Sequence, residues 1–173
     1  MTMRRLHNDD WGYETDCFVC EQTNESGLRI PFFHDEDNDV VMAEFQLSGT
    51  YSGAPTLLHG GVQLAVLDEA MAWATIAVAG QWALTVKSSA EFHAGVHVDV
   101  AYRVVARVVD HVDNRIDTAA EIIGSGGTVR TSAQAQFVAI GEAKAADLVG
   151  GAINPTHEEF LADAPSSTGE PKG

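Results

Sequence analysis

Apolar residues concentrate between Val62 and Ala79, where only Gln63, Asp68, Glu69 and Thr75 are polar. A stretch that is apolar nearly all round predicts a helix buried in a core. It is too short and too interrupted for a membrane span, and no charged flanks support one. Gly80 stands where a helix C-terminus favours glycine. On both sides of this helix the period changes to two. Leu28–Phe33 reads as a strand, with Pro31 marking an edge. The acidic tract Asp35–Asp39 reads as a turn, because its spacing is wrong for a calcium loop. Val40–Leu47 follows as a strand with Val41, Ala43, Phe45 and Leu47 on one face. Ser48–Leu58, with Gly49, Gly53 and Pro55, is a loop into the helix.

After the helix the alternation resumes. Ala83–Phe92 sets Thr85, Lys87, Ser89 and Glu91 against Val86, Ser88, Ala90 and Phe92. Val96–Val109 alternates so persistently that one long strand, twisted or bulged, is expected. A turn at Asp110–Asn114, a strand over Arg115–Gly124, a tight connection through Gly127 and a strand over Thr128–Ile140 complete the series. The pattern is α+β: an antiparallel sheet wrapped around one long central helix, not alternating βαβ units. The expected organisation is a flexible arm over residues 1–16, one domain over 17–140, and a tail over 141–173. In that tail a short helix is expected over Thr156–Ala162 and disorder over Pro165–Gly173.

Composition narrows the partners. The 173 residues carry 25 acidic and 10 basic side chains, a formal net charge of −15. That excludes nucleic acid and anionic membrane as binding surfaces. Met1–Tyr13 holds no apolar run, so no signal peptide is expected and the cytoplasm is the expected compartment. The only two cysteines form C-F-V-C at Cys17 and Cys20. One C-x-x-C is half of a zinc site, but neither His7 nor His34 has the spacing to complete it. The pair therefore reads as two ordinary thiols, with a metal or a disulfide as alternatives.

Three pieces of sequence stand out together: C-F-V-C followed by S-G-L-R-I-P-F, then L-H-G-G with Asp68 nine positions after His59, then L-T-V-K-S-S-A-E-F. In these the chain resembles the hot-dog-fold acyl-CoA thioesterases of the phenylacetyl-CoA type, including the branch with an N-terminal C-x-x-C. The resemblance spans roughly residues 17–140. It implies that Asp68 is the catalytic carboxylate, acting as general base or nucleophile. It implies further that the Gly60 amide polarises the thioester carbonyl, that His59 orients the turn, and that Thr85 positions water or carboxylate. Two positions depart from the family pattern. Gly53 stands where many members carry Asn, and Phe92-His93-Ala94-Gly95 replaces a basic residue followed by Pro. The second departure removes an expected contact to the coenzyme A phosphates, leaving Lys87, Arg103, Arg107 and Arg130 as candidates. Gly61 and Glu69 stand beside the site as candidate substrate contacts, although Glu69 is turned about 100° from Asp68 on a helix.

The chemistry makes its own demand. Thioester hydrolysis needs an N–H for the oxyanion and a carboxylate to attack or to activate water. Gly60 and Asp68 are separated by about 12 Å along a helix, so one helix does not bring both to one carbonyl. A two-fold partner with an antiparallel helix would, which makes a homodimer or a dimer of dimers the expected assembly. No metal or organic cofactor is expected, since coenzyme A belongs to the substrate. The rival readings are a non-catalytic acyl-CoA-binding module and a hydratase or dehydratase of the same fold. The second is disfavoured because it needs another well-placed histidine. For single residues the plainer roles are a structural acid at Asp68, an ordinary strand residue at Thr85, surface positions for His93, His97 and His111, and core positions for Met71, Trp73 and Ile76.

Overall fold

The computed structural model describes residues 2–11 and 15–150. Nine strands and two helices follow in the order β1 (Met3–Leu6), β2 (Phe32–Asp35), β3 (Val40–Phe45), β4 (Ser52–Ala54), β5 (Leu57–Leu58), α1 (Gly60–Ala77), β6 (Ala83–Phe92), β7 (Tyr102–Val112), β8 (Arg115–Ile123), β9 (Val129–Ala139) and α2 (Glu142–Val149). Seven of the strands form one sheet in the order β1-β2-β3-β7-β8-β9-β6, and β4 and β5 form a separate hairpin. Every neighbouring pair in the large sheet is antiparallel. Helix α1 packs against β2, β3, β6, β7, β8 and β9, so the sheet wraps around it as the alternation predicts.

The register shows which side chains face the helix. Val41 pairs with Ala106, Ala106 with Ala120, and Ala120 with Ala133, and all four are buried. Ile122, Ile116 and Phe137 lie on the same face and close over Val66, Leu67, Ala70, Met71 and Trp73 of α1. Met71 and Trp73 are thus core residues, as expected, and Ile76 packs against that core. The helix ends with Val78 at its C-cap, while Gly80 takes a φ of 65° two residues on and reverses the chain toward β6. This is a left-handed position that glycine fills without steric cost. No described helix is long and apolar enough to cross a membrane.

Several expected boundaries move, each for a local reason. Residues 28–31 are not a strand: Arg29 takes a φ of 53°, and Leu28 and Ile30 donate instead to the carbonyls of Phe18 and Val19. The long strand expected from Val96 begins only at Tyr102, because Asp99 with φ 60° breaks the extended run. The following turn is confined to Asp113-Asn114, and His111 lies inside β7. Within the N-terminal arm, Met3–Leu6 pair with Phe32–Asp35 as the outermost strand of the sheet. Within the tail, Glu142–Val149 form α2, with Ala145 buried against the core. The expectations for Thr156–Ala162 and Pro165–Gly173 lie outside the described residues.

Candidate active site

The site is built from the turn into α1, the middle of α1, and β6. His59 is the N-cap of α1, and its Nδ1 accepts the Gly61 N–H at 2.9 Å. The His59 carbonyl accepts from Val62 and Gln63 at 3.0 and 3.1 Å. Of the first four helix N–H groups, only that of Gly60 is left without an acceptor among the described residues. It lies at the positive end of the helix dipole, where developing negative charge is stabilised. Two backbone bonds anchor the turn: Leu58 N–H to the Val96 carbonyl at 2.8 Å, and His59 N–H to the Tyr51 carbonyl at 2.9 Å. A side chain at Gly53 would meet His59 Cδ2 at 3.1 Å and its Cα at 3.2 Å. Glycine therefore lets the hairpin pack closely on this turn, so the departure from Asn here has a steric consequence.

Asp68 stands at the middle of α1, the ninth of its 18 residues, and is itself only partly buried. Its Oδ1 accepts the Thr85 hydroxyl at 3.0 Å. Burial pushes the Asp68 carboxyl above its ordinary value, and the Thr85 donor partly offsets this by favouring the ionised form. A carboxylate held less acidic than usual has the character of a base.

A β-bulge brings Thr85 to that carboxylate. On β6, Thr85 pairs with Phe137 and the next paired residue, Lys87, with Gln136, leaving Val86 as the extra residue. Phe137 faces α1, so Thr85 does too; beyond the bulge the phase has shifted, and Ser88, Ala90 and Phe92 share the helix face. The simple alternation that grouped Thr85 with Lys87, Ser89 and Glu91 is therefore corrected at this one residue. Without the bulge, Thr85 and Phe92 would point to opposite faces. With it, Thr85 reaches Asp68 while the Phe92 ring stands beside Gly60, 3.5 Å from where a Cβ would be.

Gly60 opens into a depression lined by Leu57, Leu58, Gln63, Phe92, His93 and Val96. Gln63 was not foreseen. It is buried, its amide donates to the Leu58 carbonyl at 3.1 Å, and its Oε1 accepts the Thr131 hydroxyl at 2.6 Å. It thereby ties the turn, α1 and β9 together. Its signal in the sequence was a polar residue in an otherwise apolar run, one turn after the H-G-G turn.

The remaining candidates divide. Gly61 is exposed at the helix start and its N–H is taken by His59. Lys87 lies on the face of the sheet opposite α1, with Ser89, Asp117 and Gln136, so within one chain it does not share a face with Asp68. Arg103 is on that outer face and pairs with Glu44 at 3.1 Å. Arg130 folds against Gly124, its Nε buried without a partner among the described residues, while its carbonyl accepts from His93 and Ala94. His93 contacts the Ser132 hydroxyl at 2.8 Å, and His97 contacts the Thr56 carbonyl at 3.1 Å. Glu69 turns away from the reaction face toward the cysteines: Cys17 Sγ lies 3.5 Å from its Oε1. Burial, reinforced by Cys17, pushes the Glu69 carboxyl up to about 8. Cys17 is made more acidic, chiefly by its hydrogen bond with Cys20, and Cys20 correspondingly less so.

Comparison with known proteins places this geometry. Residues 56–130, from the hairpin through α1 and into β9, match the thioesterase superfamily model. No protein of curated function matches the chain in sequence. Among solved structures, RHA08564, a thioesterase superfamily protein, aligns over 75% of this chain with a TM-score of 0.67 and 24% identity. The alignment spans 64% of that protein's length. The PaaI protein of the phenylacetic acid degradation operon of E. coli aligns over 60% of this chain and 74% of its own, with a TM-score of 0.56 and 16% identity. Smu.793 from Streptococcus mutans UA159, solved bound to acetyl CoA, aligns over 60% of this chain and 82% of its own, with a TM-score of 0.57 and 14% identity. The chain has the hot-dog fold, and its segment 56–130, which carries the turn, α1 and β6 of the site, is similar to the thioesterase superfamily.

Proposed function

We propose that the protein hydrolyses an acyl-CoA thioester to the free acid and coenzyme A. The observation that carries this reading is the pairing of functions on one helix. A helix N-terminus offers an unused backbone N–H at Gly60, and a partly buried carboxylate at Asp68 is oriented by Thr85. In the proposed reaction the thioester carbonyl oxygen is received by the Gly60 N–H. Asp68 either removes a proton from the attacking water or attacks the carbonyl carbon itself, the resulting anhydride then being hydrolysed. In both routes the thiol of coenzyme A leaves. The binding of acetyl CoA by the structurally similar smu.793 supports the substrate class. The motif at Cys17 and Cys20 supports the branch with an N-terminal C-x-x-C.

The site is proposed to be shared between two copies. The stretch from Gly60 to Asp68 covers about 12 Å of helix, too far for one carbonyl. Among the described residues β6 bonds only to β9 and its other edge is unpaired, with Leu84, Val86 and Phe92 42%, 56% and 54% exposed. An edge strand of ten residues that exposes these three apolar side chains is a surface for pairing with another chain. An antiparallel second copy would set its Asp68 beside the first copy's Gly60.

The test is thiol release from a panel of acyl-CoAs, short aliphatic to aryl, with wild type beside Asp68→Asn. Turnover in wild type and a fall of several orders of magnitude in the variant support the reading. Coenzyme A ester binding without turnover, tolerant of Asp68→Asn, would instead identify a binding module. For the shared site, chains blocked at Gly60 are mixed with Asp68→Asn chains. Recovered activity supports two composite sites per dimer, and full activity of isolated monomers refutes them.

A further inference from the structure

We propose that Cys17, Cys20 and Glu69 form a zinc site that fastens the N-terminal segment to α1. The three ligand atoms, two sulfurs and one carboxylate oxygen, lie within 4.8 Å of one another. In a tetrahedral site with Zn–S of about 2.3 Å and Zn–O of about 2.0–2.2 Å, neighbouring ligand atoms stand roughly 3.5–3.8 Å apart. The separation of 3.5 Å between Cys17 Sγ and Glu69 Oε1 falls in that range.

The surroundings suit thiolates. The Cys17 carbonyl accepts the Glu21 N–H at 3.1 Å, closing the turn that presents both sulfurs on one side. The Cys20 N–H points at Cys17 Sγ at 3.4 Å, and the Asn8 amide donates to Cys20 Sγ at 3.3 Å. Each sulfur therefore has a donor of its own, which a thiolate ligand needs. The three groups are all partly buried, and none of the ion pairs among the described residues brings a Lys, Arg or His to Glu69. A bound dication would supply the countercharge that such a cluster of acidic groups otherwise lacks. Sulfur ligands select zinc over magnesium or calcium. Neither His7 nor His34, the partners weighed from spacing, belongs to the cluster; His34 instead contacts Arg4 and Asp39. Three protein ligands leave the fourth position to water. The carboxylate comes from a residue 49 positions after Cys20, which is why spacing alone leaves the motif half complete.

The experiment uses the full chain, reduced and freed of metal under anaerobic conditions. Cobalt is titrated while thiolate-to-metal charge transfer is followed by absorption, and bound zinc is counted after reconstitution and dialysis. One zinc per chain is expected, with a cobalt charge-transfer band that Cys17→Ser and Cys20→Ser abolish. Glu69→Gln keeps both sulfurs and nearly the same volume, and should weaken zinc binding about tenfold or more. Should the serine variants fail to fold, Glu69→Gln carries the test. Absence of the band in reduced wild type, or unchanged zinc affinity in Glu69→Gln, overturns the proposal. So does a stable Cys17–Cys20 disulfide that forms in preference to metal binding. None of these readouts depends on thioester turnover, so this proposal and the thioesterase reading fail separately.

Discussion

Replacing Gly60 by proline isolates the proposed oxyanion donor from the fold. Gly60 is the first residue of α1 and its N–H has no acceptor among the described residues, so proline removes no hydrogen bond there. The first helical position is the one proline favours. The preceding residue, His59, already has a ψ of 134°, in the extended range that a residue before proline adopts. Proline also reduces the freedom of the unfolded chain, a gain of about 0.4–1 kcal/mol where the native backbone permits it. The crowding to set against this is the Phe92 ring, 3.5 Å from a new Cβ and 54% exposed, hence free to yield. Stability should therefore change by less than about 1 kcal/mol. Loss of one oxyanion donor costs about 2.7–4 kcal/mol in the transition state, or roughly 100- to 1000-fold in kcat. Gly60→Ala serves as the control: it keeps the N–H, adds the same Cβ, and should retain most of the turnover. The assay is kcat for coenzyme A release, beside thermal unfolding of all three proteins. A folded Gly60→Pro enzyme with kcat within a few-fold of Gly60→Ala refutes the role of this amide.

Other predictions follow from the same geometry. Asp68→Asn should abolish turnover while holding or raising the melting temperature at neutral pH. Burial raises the carboxyl's pKa, so the stability it contributes is present at low pH and lost as pH rises through the folded value; unfolding of both proteins across pH checks this. Thr85→Val removes the donor that lowers the Asp68 pKa, so the acid limb of the kcat/KM profile should move to higher pH, and a limb that stays put contradicts the contact. His59→Ala should cost about 1 kcal/mol of stability through loss of the cap, and His59→Asn should restore most of it, measured by denaturant unfolding. Val86→Lys places a charge at the bulged edge of β6 and should shift self-association toward monomers in sedimentation, with activity per chain falling in step.

What the chain reveals in advance depends on the range of the forces involved. α1 is legible because its apolar run is continuous and its ends carry glycine, and β3, β6, β8 and β9 because their alternation is local. β1 is not: M-R-R-L has no distinctive period, and it becomes a strand only by pairing with residues 32–35. The break at Asp99 escapes notice because a single left-handed residue does not disturb the surrounding valine pattern. The same limit holds within the site. His59, Gly60, Gly61 and Asp68 stand in one short stretch and can be read together, whereas the partner of Asp68 depends on a one-residue bulge and that of Glu69 on a turn far earlier in the chain. Arg130 and Lys87 are cations by composition, but sheet register decides where they face, and one lies on the outer face while the other folds against Gly124.

The strand order has a consequence for how the site comes into being on the ribosome. β6 emerges before β7, β8 and β9, yet among the described residues it bonds only to β9, the last of these strands to be synthesised. Until Val129–Ala139 has left the exit tunnel, β6 has no ladder to join, and Thr85 has no fixed bearing on Asp68. A nascent chain can gather α1 with β2, β3, β7 and β8 and still hold no ordered site. The proposed hydrolysis would thus wait on β9, and chains cut short before it should show no thioester turnover.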